Sequence, residues 1–407
     1  MIGKPVVEEV RQVRMSVLIL LLAVSGGCAG GGPSDVAKMS GPDELPVVSE
    51  LPNPFVMSDG KLVRTEKDWA TRREQIKAMM LYYQYGHMPP PPKNIKAEVL
   101  LSQSVYEGAA TKKHIMLSMG PNGQVKVNVG MIIPQGKGPL PVILKNDSGI
   151  FGVPIAEEIV KRGYIVADYA RTDLDPDEPN KVGSAQAAYP DYDWATLAVW
   201  AWGGMRVIDY LVTLDVVDKE KIVFTGHSRG GKTALLAGAL DERIALVVPN
   251  GSGCGGAGCY RIQADKSETL DDITKPSRFA YWFVPRFREF VGKETHLPFD
   301  QHFLKALVAP RALLSVDATG DLWANPYGTQ QSHRAAQPAF EFLGAADKLG
   351  MYFRSGGHAQ NEDDWRTLVD FADKVFNGKT PAGGKRFDQL PFPDAPKPFS
   401  WSAPKPK

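Results

Sequence analysis

The stretch "FTGHSRGGKTALL", residues 224–236, decides the fold. It sets Ser228 between Gly226 and Gly230, after an apolar run of β-formers and before an Ala/Leu-rich run. One reading makes Ser228 the N-cap of a helix, its hydroxyl accepting from an orphan backbone N–H. The other makes it a nucleophile elbow, a sharp strand-to-helix turn that lifts a serine hydroxyl to the carboxyl edge of a sheet. The flanking glycines let the chain bend and let neighbouring segments approach. Arg229 and Lys232 fall in the first helical turn, where each cation opposes the macrodipole by a few tenths to ~1 kcal/mol. A helix start with no other duty would carry Asp or Glu there. Two cations suit a site that faces negative charge, a developing oxyanion or a bound acidic sugar.

Outward from the elbow, "LPVILK" (140–145) and "YIVADYA" (164–170) read as short buried strands, with "VPIAEEIVKRG" (153–163) an amphipathic helix between them. "WATLAVWAWGGMRVIDYLVTL" (194–214) reads as a long apolar helix, "IALVVPNG" (244–251), "RALLSVDA" (311–318) and "GMYFRSG" (350–356) as further strands, and "EDDWRTLVDFADKVF" (362–376) as the last helix. Buried strands alternating with helices make a mostly parallel sheet covered on both faces. Three alternating segments between residues 95 and 134 predict antiparallel strands at its N-terminal edge. The expected fold is thus α/β, the three-layer α/β-hydrolase sandwich. Residues 55–92 read as helical and aromatic, stopped by Pro89–Pro92.

A serine nucleophile needs a base and an acid to orient it, and in this fold they follow in the order serine, acid, histidine. Of the histidines downstream of Ser228, only His358, in "RSGGHAQNEDDW", follows a terminal strand and precedes the last helix. His296, His302 and His333 read as surface residues, and His227 as packing or hydrogen-bonding under the elbow. For the acid, "LLSVDATGDLWANP" offers Asp321, in a turn opened by Gly320, and Asp317, which closes the strand; Asp321 is the better placed.

The 407 residues carry a net charge of +1, so no global field draws the chain to nucleic acid or an anionic membrane. Three cysteines, Cys28, Cys254 and Cys259, make neither a disulfide framework nor a zinc site. Cys254 and Cys259 could pair with each other or serve as apolar filling. Nucleophile, base and oxyanion donors are all protein groups, so no cofactor or metal is implied. Arg11 and Arg14 precede an apolar run that ends in small residues at Cys28, which reads as an export signal over residues 1–28. Ser25-Gly26-Gly27-Cys28 is similar to a bacterial lipobox, with Ser25 where leucine is usual, so lipid on Cys28 is the one expected route to a membrane. The expected product is periplasmic, surface-bound or secreted. Residues 29–50 read as a flexible linker, 51–380 as the catalytic domain, and 381–407 as a proline-rich tail that wraps or dangles.

The segment "TGHSRGGKTALLAGALDERIALVVPNGSGCGGAGCYR", with "ATLAVWAWGGMRVIDYL" before it and "DLWANP" and "GGH" after it, resembles the glucuronoyl esterases, carbohydrate esterase family 15. The resemblance spans roughly residues 60–378. It implies Ser228 as nucleophile, His358 as base, Arg229 at the oxyanion, and Lys232 and Trp323 as the sugar-binding pair. Two departures accompany it. Many members carry a glutamate as triad acid where this chain has Gly251, which moves the charge to Asp321. The cysteines that bridge beside serine and histidine in fungal members are here His227 and Ala359. The implied reaction is hydrolysis of esters of (4-O-methyl-)glucuronic acid on xylan, the partner being a polysaccharide or oligosaccharide ester. A xylan acetyl esterase or other acyl esterase is the alternative within enzymes. A non-catalytic glycan-binding protein is the alternative outside them.

Overall fold

The computed structural model describes residues 39–405. The predicted export signal and Cys28 lie outside the described residues. The first helix, α1 (Glu66–Met80), is opened by a capping box between Thr65 and Asp68 and is followed by a wide turn over Leu81–Tyr85. Strands β1 (Lys96–Val105), β2 (Ala110–Met119) and β3 (Val125–Pro134) form the antiparallel edge. Then come β4 (Leu140–Asp147), α2 (Ala156–Lys161), β5 (Ile165–Ala170), α3 (Ser184–Ala188), α4 (Thr196–Leu211), β6 (Val217–His227), α5 (Arg229–Leu240) and β7 (Ile244–Asn250). The chain closes with α6 (Leu270–Thr274), α7 (His302–Val308), β8 (Ala312–Ala318), α8 (Pro326–Phe342), β9 (Leu349–Arg354) and α9 (Glu362–Asn377).

The nine strands form one sheet in the order β1-β2-β3-β5-β4-β6-β7-β8-β9. From β5 to β9 every pairing is parallel, while β1, β2 and β3 join antiparallel, as the change of sequence pattern predicts. Every residue of β5 and β8 is buried, the mark of strands covered on both faces. On one face α2 and α9 pack Ile159, Leu368 and Phe371 against Val166, Val223 and Leu314. On the other, α5 lies so close to β7 that a Cβ on Gly238 would meet the Val247 side chain at 2.2 Å.

Two segments differ from expectation. Residues 40–50 pack against the domain instead of forming a tether: Pro42 is buried, Tyr83 donates to the Ser40 carbonyl at 2.8 Å, and Val48 N–H donates to the Thr295 carbonyl at 2.8 Å. The proline-rich tail wraps. Phe387 joins the core over β9, and Trp401 donates from Nε1 to the Leu51 carbonyl at 2.7 Å. Helix α8 was not legible from periodicity, because Pro326 and Pro338 interrupt its pattern; Pro326 is tolerated in the first turn, where its missing N–H has no helical partner.

The elbow dictates Gly226 sterically. A Cβ on Gly226 would stand 2.4 Å from the Gly230 carbonyl oxygen and from Asn146 Nδ2, and the first of these is backbone and cannot swing away. Gly226→Ala is expected to cost about 1–3 kcal/mol in denaturant unfolding, the usual range for overpacking a tight core site. An unchanged midpoint would mean that the turn has slack that this geometry denies it.

Candidate active site

Strand β6 ends at His227 and α5 begins at Arg229, so Ser228 alone turns the chain. It does so at φ 55° and ψ −120°, a left-handed backbone for a residue with a side chain, and its hydroxyl makes no capping bond. The helix-cap reading therefore fails on geometry, and the strained turn is that of an elbow. Neighbouring strands hold it. Ser228 N–H donates to the Asn250 carbonyl at the end of β7 (2.9 Å), and Asn146 Nδ2, at the end of β4, donates to the Thr225 and Gly230 carbonyls (3.0 and 2.9 Å). The sheet thus presents Ser228 at the carboxyl ends of its parallel strands, at the mouth of a cavity of about 420 Å³ that His358 also lines.

His358 lies in the bend between β9 and α9 with its side chain 39% exposed, and its Nδ1 is 2.6 Å from Asp321 Oδ2. Asp321 is buried beyond the end of β8, its other oxygen accepting from Ala324 N–H. That contact fixes the tautomer, leaving Nε2 of His358 free of the proton and able to take one. Asp317 does not reach the histidine. It is buried within β8, where burial pushes its carboxyl well above the usual range and pushes the neighbouring Lys305 ammonium down to about 8. His227 lies between the elbow and the base, its Nδ1 2.6 Å from Asn250 Oδ1 and its ring 4.6 Å from that of His358. Burial lowers its pKa to about 4, so it is neutral at pH 7.

The two cations in the first turn of α5 have carboxylate partners of their own. Arg229 donates to Asp177 Oδ2 at 2.7 Å, its guanidinium 4.8 Å from the Trp282 ring centroid, and it remains a third exposed at the cavity. Lys232 differs from expectation. It is 2% exposed, and its ammonium donates to the Ser252 carbonyl (2.8 Å), the Cys254 carbonyl and Glu268 Oε2 (2.7 Å). An ammonium has three N–H donors, all used here, so a ring hydroxyl would have to displace one of these acceptors. Trp323 is 38% exposed, with the Arg278 guanidinium 5.1 Å from its ring centroid. Cys254 and Cys259 are free, buried thiols. His302 and His333 are buried, which corrects their reading as surface residues: polar neighbours in sequence do not keep these rings at the surface, and His302 Nε2 meets the distant Pro52 carbonyl at 2.8 Å. Among the described residues no group of His, Cys, Asp and Glu is placed to hold a metal ion.

Sequence reasoning missed the residues that hold the site. Arg354, at the end of β9, donates from Nε to both oxygens of Asp364 (2.9 and 3.0 Å) and from its terminal nitrogens to the carbonyls of Ser355, Gly357 and Ala359. It therefore clamps the bend that carries His358. A cation ending the last strand, four residues before the histidine, was the available signal. Asp177 is held by its own shell: Tyr281 and Trp282 donate to Oδ1 at 2.9 and 3.0 Å. No short motif announces such partners, because they lie about 50 and 100 residues from one another in the chain.

The geometry separates the two aspartates. Asp321→Asn is expected to lower turnover of an ester substrate by roughly 10²–10⁴, the range for losing an orienting carboxylate. Asp317→Asn is expected to leave turnover within a few-fold while shifting thermal stability. Steady-state rates and melting curves of both variants check this, and the reverse pattern would reassign the acid.

A family model described as "Glucuronyl esterase, fungi" matches residues 118–344, more than half of the chain. A carbohydrate esterase, MZ0003, from an unknown prokaryotic organism is 30% identical over 392 residues, covering 81% of this chain and 90% of that protein. A 4-O-methyl-glucuronoyl methylesterase of Podospora anserina is 33% identical over 330 residues; the match covers 77% of this chain and spans 64% of that relative's length. Among solved structures, a carbohydrate esterase family 15 glucuronoyl esterase from Caldicellulosiruptor kristjansonii superposes with a TM-score of 0.76 at 31% identity, covering 88% of this chain and 98% of that one. With the elbow, the histidine–carboxylate pair and the sheet order in place, the chain belongs to the glucuronoyl esterase family, carboxylic ester hydrolases of the α/β-hydrolase fold.

Proposed function

We propose that this protein hydrolyses esters of (4-O-methyl-)glucuronic acid borne on plant cell-wall polysaccharide, through an acyl-enzyme on Ser228. The observation that carries this is the 2.6 Å contact between His358 and Asp321 beside a serine held at an elbow. Ser228 Oγ attacks the ester carbonyl while His358 takes its proton, and the resulting imidazolium is stabilised by Asp321. Negative charge grows on the carbonyl oxygen, where the N-terminus of α5 and the Arg229 guanidinium face it. His358 then returns the proton to the departing alcohol, and water repeats the cycle in reverse to release the uronate and free serine.

The uronate ring is placed on the β7–β8 side of Ser228. Trp323 offers an exposed apolar face for a sugar there, and the Glu268 loop is tied to the Trp323 carbonyl through its N–H (2.9 Å). Lys232 supports that side by fixing Glu268, or by exchanging one acceptor for a ring hydroxyl. A glycan-binding role without catalysis is disfavoured, since it would need neither the strained serine nor the oriented histidine. The apolar run before Cys28 supports export, with the mature chain beginning at or near that residue.

Ser228→Ala is expected to abolish hydrolysis of methyl 4-O-methyl-glucuronate and to leave the melting temperature nearly unchanged. Wild-type protein should cleave this ester with a higher kcat/KM than 4-nitrophenyl acetate. Preference for the acetate would favour the acyl-esterase alternative, and residual activity in the serine variant would remove Ser228 as nucleophile. N-terminal sequencing of protein from its native host is expected to begin at or near Cys28; a chain beginning at Met1 or Met15 would refute export by this segment.

A further inference from the structure

The helix that carries Arg229 does not by itself place its charge. The side chain is long, rich in rotamers and a third exposed. Two aromatic rings border it: the guanidinium carbon lies 4.8 Å from the Trp282 ring centroid and 5.3 Å from that of Phe279, and the rings stack on each other at 4.1 Å. Rings attract a cation but accept no directed bond that would set its rotation. Among the described residues Asp177 is the one carboxylate in salt-bridge reach of Arg229, its Oδ2 2.7 Å away. One of the five guanidinium N–H groups is spent there, in the wall of the cavity that Arg229 lines with Ser228 and His358.

Asp177 is itself held from several directions. Its segment, residues 174–183, runs between β5 and α3 over a closed base. Gly183 N–H donates to Asp175 Oδ1 (2.7 Å), Trp200 Nε1 donates to the Asp175 carbonyl (2.8 Å), and Asp175 is fully buried. A Cβ on Gly183 would stand 2.2 Å from the Leu174 carbonyl oxygen, so the two ends of the segment touch. The segment after α6 supplies the Tyr281 hydroxyl and Trp282 Nε1–H, both donated to Asp177 Oδ1. Three stretches distant in sequence thus meet on one carboxylate, and both of its oxygens accept.

Charge adds a second constraint. A terminal nitrogen of Arg171, whose side chain is 8% exposed, lies 3.9 Å from the same Oδ2 that Arg229 holds, and another lies 3.7 Å from Asp147. Asp177 therefore offsets the repulsion between two guanidiniums that approach one oxygen. Arg171 is walled in, so loss of that negative charge would send Arg229, the exposed partner, towards solvent.

Resting on the acyl-enzyme reading above, we propose that Asp177 is a positioning residue for the oxyanion step, fixing the Arg229 guanidinium where its N–H groups meet the ester carbonyl oxygen as charge grows on it. A donor set in advance stabilises that charge without reorganising when it appears. Its loss accordingly falls on kcat and leaves KM little changed.

A double-mutant cycle on methyl 4-O-methyl-glucuronate tests this. Asp177→Asn keeps the shape and removes the charge. Its kcat is expected to fall by about 10–100-fold, short of the roughly 10²–10³ lost with a whole oxyanion donor, with KM within about threefold. In the Arg229→Ala background the same substitution should change kcat by less than about threefold, since the residue it acts through is gone. Damage to the segment alone would add its full factor in both backgrounds and overturn the proposal. A wild-type kcat in Asp177→Asn, or a loss confined to KM, would overturn it too. Tyr281→Phe decides if Asp177→Asn does not fold, because it takes one donor from the carboxylate and leaves Arg229 intact. A several-fold drop in kcat that disappears in Arg229→Ala supports the positioning; no drop, or the same drop in both backgrounds, overturns it. Wild-type protein that cleaves no glucuronate ester would overturn the esterase reading and the positioning together, whereas an active enzyme indifferent to Asp177 removes the positioning alone.

Discussion

The site depends on one backbone bend. At Ser228 the chain passes from β6 into α5 through a left-handed residue that is not glycine, a conformation that costs about 1–3 kcal/mol and persists only where neighbours over-determine it. Here they do. Asn250 receives the serine N–H from one side, Asn146 bonds the carbonyls before and after the bend from the other, and Gly226 leaves no room for the turn to relax inward. Because β4 and β7 flank β6 in the sheet, the parallel order of strands is what brings those two asparagines to the same place. The hydroxyl's position is thus a property of the sheet rather than of a mobile loop.

Charge is arranged around that bend by a single rule: each cation that shapes the site is seated on a carboxylate. Arg229 has Asp177, Lys232 has Glu268, Lys145 has Asp147, and Arg354 has Asp364. The pair at Lys232 is nearly dry, and the carboxylate and two carbonyls take up all three donors of the ammonium. This revises the inference from the helix dipole. The negative partners implied by cations in the first turn of α5 exist within the protein, and only the partly exposed Arg229 has charge left to offer a substrate.

Most of the sheet was legible because buried parallel strands leave continuous apolar runs of a length helices rarely have. The runs at 140–145, 164–170 and 311–318 lie within one or two residues of β4, β5 and β8. What sequence could not supply follows from distance along the chain. The span from Gly251 to Arg311 has short turns and two short helices whose order comes from contacts such as Arg261 on Asp300 (3.2 Å), not from periodicity. His302 and His333 read as exposed because their neighbours are polar, yet the chain around both folds inward and leaves Nδ1 of each ring without a partner. His358 was legible for the opposite reason: glycines on a loop after the last strand say where a side chain is displayed, even when nothing says what holds it.

The choice of acid shows how far such constraints reach. Gly251 follows β7 and Asp321 follows β8, two neighbouring strands of the sheet, and a Cβ on Gly251 would lie 3.7 Å from Asp321 Oδ2 and 3.1 Å from the His227 ring. The two positions therefore open onto one volume beside His358. A side chain at 251 would touch the acid and crowd His227, and Gly251 has φ +50°, which disfavours one in any case. Glycine at 251 and aspartate at 321 are accordingly one decision rather than two. The backbone of one strand end yields the space that the side chain of the next one uses, and the histidine's requirement, an anion within hydrogen-bond reach of Nδ1, is indifferent to which strand supplies it.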